Sequence, residues 1–386
     1  MMASAPRPIA ALHDVPADPR GSAIPGSRPG LHSPLQTAVW KKVSRLRGKP
    51  AFTGQGPGWH ALAILEQRAV GSYLYVPYGP VARTEHGFLD GLEWARTVAS
   101  ESGALFLRVE PQVLRSWSAP TPQAEVSRQR AMLSRAGFRP ALADLQPRRT
   151  RCIDLARPAE EVLGDMTGTN RTVYRSTAQR GISVGISRDP ADIGYLAELM
   201  STTAARSGFT AQEPGQLTAL AEAVLPEGHG ALFLARHDGR VISAILTLDG
   251  GGIRVFAHGA TDRRFSRLRA HQSAVITAIL DARRYGVQVA DLYGIAPTDD
   301  PQHPWAGFSR FKASFGGYVV EHAGAWDLPV SPAAYKLVRS ISALRRGVRT
   351  VRRSGLRVAT PITARSEPGS RPRAGSAARW SPGTAS

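Results

Sequence analysis

The sequence predicts an α/β fold made of two tandem copies of one layered domain, on three observations. An order of strand, loop, helix and strand occurs twice between residues 72 and 317. Glycines closing equivalent elements recur at nearly one offset: Gly79 and Gly259, Gly103 and Gly286, and Gly137 and Gly316 lie 180, 183 and 179 residues apart. The chain has 386 residues, 42% of them apolar, enough for two ordinary cores.

The elements follow in order. Residues 1–30 are rich in Pro, Ala, Gly and Ser without periodicity, and are expected to form a disordered tail. Ser72–Val76 is aromatic and β-branched, a strand. Gly87–Ser102 reads as an amphipathic helix with Phe88, Leu92, Ala95 and Ala99 on one face and Gly103 as its cap. Ala104–Val109 is an interior strand, and a further helix runs over Val126–Arg135. The second copy begins with the strand Gly252–Ala257, continues with the helix Leu268–Tyr285 and the strand Val287–Tyr293, and ends with a short helix at Gly307–Ser314. Strand–helix–strand units of this length favour parallel pairing with a right-handed crossover. The expected division is residues 31–148 for the first domain, completed by a segment at about 320–345, residues 149–319 for the second, and 346–386 for a basic disordered tail.

Composition narrows the function. A single cysteine, Cys152, excludes an internal disulfide and a cysteine-rich metal cluster, and reads as a buried thiol. No apolar run reaches the roughly 20 residues needed to span a bilayer, and the N-terminus lacks the pattern of a signal peptide, so a cytoplasmic protein is expected. The net charge is +19, and residues 345–386 alone hold ten arginines against one glutamate. Such a tail suits either a solvated end, an anionic membrane surface or RNA phosphate. Of 49 basic residues only Lys41, Lys42, Lys49, Lys312 and Lys336 are lysine, so each lysine stands out against the arginine background.

The order of elements resembles the GNAT acyltransferase fold, which binds acyl-CoA through a glycine-bearing loop at a helix N-terminus. The corresponding loops here, Tyr78–Gly87 and Thr261–Arg269, lack closely spaced glycines. Several stretches are similar to the FemABX family of peptidoglycan-bridge aminoacyltransferases, which joins two such domains. They are Leu35-Gln36 with Trp40, Leu105–Gln112, Asn170–Gly181, Asp291–Ile295, Asp300-Pro301, His303–Gly307, Phe311-Lys312, Phe315–Gly317 and Asp327–Pro329. The resemblance covers about 31–345. It implies two tandem GNAT-like domains, here without a long coiled-coil arm, since no heptad segment is present. It also implies a monomeric acyltransferase with no metal or organic cofactor. The donor would be aminoacyl-tRNA, and the acceptor lipid II or UDP-MurNAc-pentapeptide. The site would be cytoplasmic, at the inner face of the plasma membrane where the basic tail contacts anionic lipid.

Site residues follow from chemistry and resemblance together. Aminolysis of an ester passes through an oxyanion that a fixed cation stabilises. Lys312 with Phe311 matches the family's Phe-Lys pair, where acyl group and tRNA end meet; the plainer reading is a lysine on a solvated helix face. Arg171 and Arg175, four apart, share a helix face and suit a pyrophosphate, or form a solvated basic face. Glu110 closes a strand before Pro111 and would orient the incoming amine or accept its proton, or cap something local. Asp291 and Tyr293 end a parallel strand, where α/β proteins place functional groups. His303 and Trp305 would shape the acceptor channel. Two positions depart from the family: Phe256 and His258 stand where it often has a tyrosine pair, and Ser44, with Lys41, Lys42 and Arg45 close by, stands where it has a lysine shortly after the opening tryptophan; if that lysine holds a phosphate, the contact is shared differently here. Two other readings stay open: an acyltransferase of the same fold using acyl-CoA or another donor on a different acceptor, and a non-enzymatic RNA- or membrane-binding protein.

Overall fold

The structure, a computed structural model, describes residues 30–113, 123–207, 214–341 and 343; the expected tails lie outside this range except for Gly30. The first sheet is laid down by β1 (Ala51–Gly56), β2 (Trp59–Arg68), β3 (Gly71–Tyr78), β4 (Val81–Ala82), β5 (Phe106–Pro111) and β6 (Arg139–Pro140). The second holds β7 (Arg149–Asp154), β8 (Ile182–Ser187), β9 (Gly230–His237), β10 (Arg240–Gly250), β11 (Ile253–Thr261), β12 (Val289–Gly294) and β13 (Tyr318–Glu321). The last strand, β14 (Trp326–Pro329), returns to the first sheet.

Laid side by side, the sheets show the duplication. The first runs β1-β2-β3-β5-β14-β6 and the second β9-β10-β11-β12-β7-β13, with β8 added outside β9. Each holds a parallel pair, β3 with β5 and β11 with β12, as the strand–helix–strand units require. Next to each parallel pair sits an antiparallel strand from beyond the other repeat. β7 follows the first repeat but pairs with β12 and β13; β14 follows the second repeat but pairs with β5 and β6. The two domains therefore exchange a strand, and neither sheet closes without a segment that is remote in sequence.

The helices have local causes. Thr84 caps α2 (Glu85–Glu101) by accepting from Gly87 N at 3.1 Å, and Glu85 complements the positive end of the helix. Its buried face is Phe88, Leu92, Ala95 and Ala99, and Gly103 adopts the left-handed conformation (φ 66°) that ends it. α8 (Ala270–Arg284) is apolar on most sides because it packs in the centre of its domain; Ala274, Ile276, Ala278, Ile279 and Ala282 are fully buried. Burying such side chains completely contributes roughly 1.5–3 kcal/mol each for the larger ones. The arginine-rich stretch at 170–181 forms a shorter helix than expected: α5 (Gly168–Arg175) stops, and a separate turn at Ala178–Arg180 ends on Gly181 at φ 68°.

An N-terminal segment ties the sheets together. Buried Gln36 donates to Leu62 O at 3.1 Å and Pro77 O at 2.5 Å and accepts from Leu62 N at 2.8 Å, all in the first sheet. Four residues earlier His32 N donates to Gly251 O, in the turn after β10, at 3.0 Å. α1 (Ala38–Leu46) then packs on α7 (Pro214–Val224) of the second domain.

Candidate active site

The site begins where a parallel pair comes apart. β11 and β12 pair only from Ile253, Arg254 and Val255 to Val289, Ala290 and Asp291, yet β11 runs on to Thr261 and β12 to Gly294. Opposite the opening, Leu246 faces His258 while Thr247 faces Phe256, so Ala257 is an extra residue that bends β11 away. Tyr293 takes a left-handed backbone (φ 68°) that turns β12 in the other direction.

At this fork α9 (Ala306–Ala313) delivers Lys312. Its side chain is 8% exposed, its Nζ donates to Gly294 O at 2.7 Å, and the ammonium lies 4.1 Å from the centre of the Phe308 ring. Asp291 is 2% exposed and accepts from Tyr293 N at 2.7 Å. Burial draws Lys312 down to about 7, against the pull of Asp291. Burial also pushes Asp291 up to about 6, held back by the Tyr293 N–H and by Lys312. The lysine is thus not on a solvated face; it is a buried cation poised to gain or lose its proton near neutrality.

A polar chain leads from this pair into the other domain. Tyr293 donates its hydroxyl to Gln146 Oε1, and Gln146 N donates to both oxygens of Glu110 at 3.2 and 3.1 Å. Glu110 also accepts from Leu145 N at 2.6 Å and from the Tyr75 hydroxyl. Burial raises Glu110 above the usual carboxylate range, opposed by these donors. The Tyr78 hydroxyl reaches Pro147 O at 3.3 Å, and burial keeps Tyr75, Tyr78 and Tyr293 as neutral phenols. A Cβ on Gly294 would come within 2.8 Å of Pro147, so glycine lets the linker lie directly on the strand that Lys312 touches.

The other expected residues divide. Phe311 walls the fork, its ring 5.7 Å from that of His271 in the first turn of α8. His271 was not anticipated. Its Nδ1 lies 2.9 Å from Ser243 Oγ, which donates to Ala260 O, and burial holds the imidazole down to about 4 and therefore neutral. His258 is likewise held to about 4, first by burial and then by the charge of Arg47. Arg47 carries a buried Nε without a partner among the described residues, while its NH2 donates to Gln216 O at 2.9 Å. Ser44 is buried and donates to Trp40 O at 2.9 Å. Arg171 is occupied with its own loop, donating to Gly164 O at 2.9 Å and to Met166 O, whereas Arg175 is exposed at the end of α5. Asn170 beside them donates to Ser314 O at 3.1 Å and Oγ at 2.8 Å, fastening α5 to the end of α9. His303 accepts from Trp305 N at 3.0 Å, and Trp305, 43% exposed, stands at the surface ahead of α9.

The model of the FemAB family matches residues 231–343, the span holding the fork, α8 and Lys312. Over that span the chain is similar to the FemAB family. A lipid II:glycine glycyltransferase of Staphylococcus aureus (strain USA300) is 20% identical, with 53% of this chain and 65% of that protein covered. The chain thus spans about two thirds of the length of such relatives. The crystal structure of FemX superposes with a TM-score of 0.68 at 19% identity, over 79% of this chain and 94% of that one. The L-PGS structure from Bacillus licheniformis gives 0.51 at 11% identity over 79% and 95%. These likenesses show that the chain shares the two-sheet α/β fold of FemX.

Proposed function

We propose that this protein is a FemAB-type aminoacyltransferase that moves an amino acid from aminoacyl-tRNA to the stem-peptide amine of a peptidoglycan precursor, lipid II or UDP-MurNAc-pentapeptide. The observation that carries the reading is Lys312, a buried lysine at an open strand fork with Asp291 behind it. The acceptor amine attacks the ester carbonyl, the C–N bond forms, and the C–O bond to the ribose breaks. Lys312 stabilises the oxyanion between these events. With its proton held near neutrality, it can also return one to the departing ribose oxygen as the attacking amine loses one. Glu110 already carries four hydrogen bonds, so it positions the site through Gln146 and Tyr293. Arg175, exposed on its helix, offers a guanidinium to a phosphate, and Arg47 with His258 offers a second such position. Phe311 and His271 line the donor side; His303 and Trp305 shape the acceptor entrance. In this reading the enzyme works as a monomer at the inner face of the plasma membrane, drawn to anionic lipid by the ten arginines of residues 345–386.

The test is transfer of radiolabelled amino acid from a charged tRNA pool to lipid II and to its nucleotide precursor, with RNase and Lys312→Met as controls. Label that disappears with RNase and falls at least about a hundredfold in the variant is expected, the cost of removing one oxyanion contact. No transfer from any charged tRNA, with transfer from an acyl-CoA instead, would replace this reading with an acyl-CoA-dependent one.

A further inference from the structure

One hydrogen-bonding atom at the fork has no part in the transfer as described so far. His271 stands in the first turn of α8, and its Nδ1 lies 2.9 Å from Ser243 Oγ. Ser243 is fully buried and has one hydrogen to give, which goes to Ala260 O at 3.1 Å, an atom that only accepts. Ser243 Oγ must therefore accept from the imidazole. Burial holds that ring down to about 4, so near neutrality it carries a single proton. The proton sits on Nδ1, and Nε2 is left with a lone pair.

The surroundings keep this lone pair open. Nε2 has no hydrogen-bond partner among the described residues. A Cβ on Gly259 would stand 3.6 Å from it and 3.1 Å from the neighbouring Cε1, so the glycine leaves that edge of the ring uncovered. Gly259 is exposed on β11, two residues past the extra residue Ala257 that bends this strand at the fork. The face of the imidazole is held by Phe311, whose ring lies 5.7 Å away at an angle of 29°. Phe311 immediately precedes Lys312 on α9. The lone pair thus belongs to the wall that Phe311 forms, one residue from the buried ammonium.

A lone pair selects its partner. It repels an oxyanion or a phosphate oxygen and meets only an N–H or an O–H. The transfer brings three such groups to the fork: the attacking amine, a ribose hydroxyl and the α-amine of the acyl group. The attacking amine must lose its proton, and a nitrogen that titrates at about 4 holds one poorly near neutrality. The α-amine keeps its hydrogens throughout, and it needs an acceptor that does not change state. It lies two bonds from the carbonyl carbon whose oxygen Lys312 stabilises, so one acyl group presents both atoms to the same wall. An uncharged acceptor also leaves the pull on Lys312 to Asp291, whereas a carboxylate in its place would compete for the cation.

We propose that His271 Nε2 accepts an N–H from the α-amine of the transferred group, which makes His271 a positioning residue that selects aminoacyl donors over simple acyl donors. This assignment rests on the proposed function, which supplies the aminoacyl ester.

The experiment compares two ligands on the full chain by ligand-observed NMR. One is adenosine carrying a glycyl group through a stable ribose amide, with an α-amine and no side chain. The other carries acetyl in its place and lacks the amine. The glycyl compound should bind about tenfold tighter or more, the contribution of one hydrogen bond to a desolvated acceptor. His271→Phe keeps a ring against Phe311 but has no acceptor; it should bind the two compounds alike, with the acetyl affinity unchanged. Gly259→Ala, at an exposed position, should weaken only the glycyl compound by crowding Nε2. Long-range proton–nitrogen spectra of the wild type should show Nδ1 protonated and Nε2 bare. Melting curves identify any variant that fails to fold, and Gly259→Ala then keeps the test decisive. A proton on Nε2, equal binding of the two compounds, or no binding of either would each overturn the proposal. Equal binding with transfer abolished in His271→Phe would give the lone pair to the attacking amine or the ribose instead. Preference for the glycyl compound without RNase-sensitive transfer sinks the function reading alone; transfer without that preference sinks the assignment of His271 alone.

Discussion

Glu110 of one domain and Tyr293 of the other hold the same residue: Gln146 donates its backbone N–H to the carboxylate and accepts the phenol on its side chain. A buried polar chain of this kind fixes geometry because each member's loss leaves another unsatisfied. Gln146→Leu keeps the backbone contact to Glu110 but strands the Tyr293 hydroxyl. A loss of about 1–3 kcal/mol of stability follows, together with a fall in kcat that exceeds the change in KM. Urea midpoints and transfer kinetics measure the two. Unchanged kcat at reduced stability would assign the chain to folding alone.

The Lys312–Asp291 pair sets a pH dependence. If the cation is the active form, transfer declines as pH rises through about 7, where Lys312 loses its proton. Asp291 raises the lysine's affinity for that proton, so Asp291→Asn moves the alkaline limb to lower pH. Stability follows its own sign. The folded lysine titrates below its ordinary value, so its contribution is complete above pH 10.5 and is lost as pH falls through about 7. Asp291 titrates above its ordinary value, and its contribution is complete below pH 3.8 and lost as pH rises through about 6. A kcat/KM profile of both proteins decides it; an alkaline limb that stays in place in Asp291→Asn removes the coupling.

The repeat was legible because apolar periodicity and capping glycines act locally. Phe88, Leu92, Ala95 and Ala99 read as one helix face and are buried as one. Lys312 stood out as an oddity of composition, but its burial was not legible, since it depends on Gly294 arriving from β12. Gln146, Tyr75 and Tyr78 were missed: a glutamine in a linker carries no periodic signal, and the tyrosines look like ordinary strand residues. His271 was hidden in the same way, as one polar position on an otherwise buried helix. Arg171 shows what spacing leaves out: it places two arginines on a face but does not say that one donates to its own loop, at Gly164 O and Met166 O.

The exchanged strand β14 is anchored by charge. Asp327 accepts Arg108 Nε at 2.7 Å and NH2 at 2.8 Å, and the Tyr335 hydroxyl at 3.0 Å. It pairs with Arg108 in register across β5 and β14 and is buried. Asp327→Ala leaves the Arg108 guanidinium, nearly buried, without its partner. The expected cost is about 3–5 kcal/mol, concentrated in the first domain. Hydrogen exchange resolves the location: protection should fall in β5 and β14 and persist in β10 and β11. Uniform loss across both sheets would show that the domains unfold as one unit.

The paired glycines after α9 place Lys312. Gly316 and Gly317 both adopt left-handed backbones, at φ 83° and 74°, and Arg151 donates to their carbonyls at 2.8 and 2.9 Å. This turn sets β13 against β7 and so fixes where α9 ends. A Cβ on Gly317 would lie 2.1 Å from Cys152 O, an approach that no rotamer relieves because the obstacle is backbone. Cys152 is also the register partner of Asp291, so displacing it disturbs the carboxylate behind Lys312. Gly317→Ala should therefore cost several kcal/mol, combining clash with left-handed strain of about 1–3 kcal/mol. Transfer should be lost along with the fold's upper melting limit. Gly194→Ala is the matched control: it lies in the first turn of α6 (Ile193–Ser207), with nothing within 4 Å of the new carbon. There the substitution should stabilise by roughly 0.4–1 kcal/mol, because alanine has less freedom to lose on folding. Thermal melts of the two variants separate the causes. Equal effects would mean that glycine content matters, whereas opposite signs would mean that the turn behind Lys312 does.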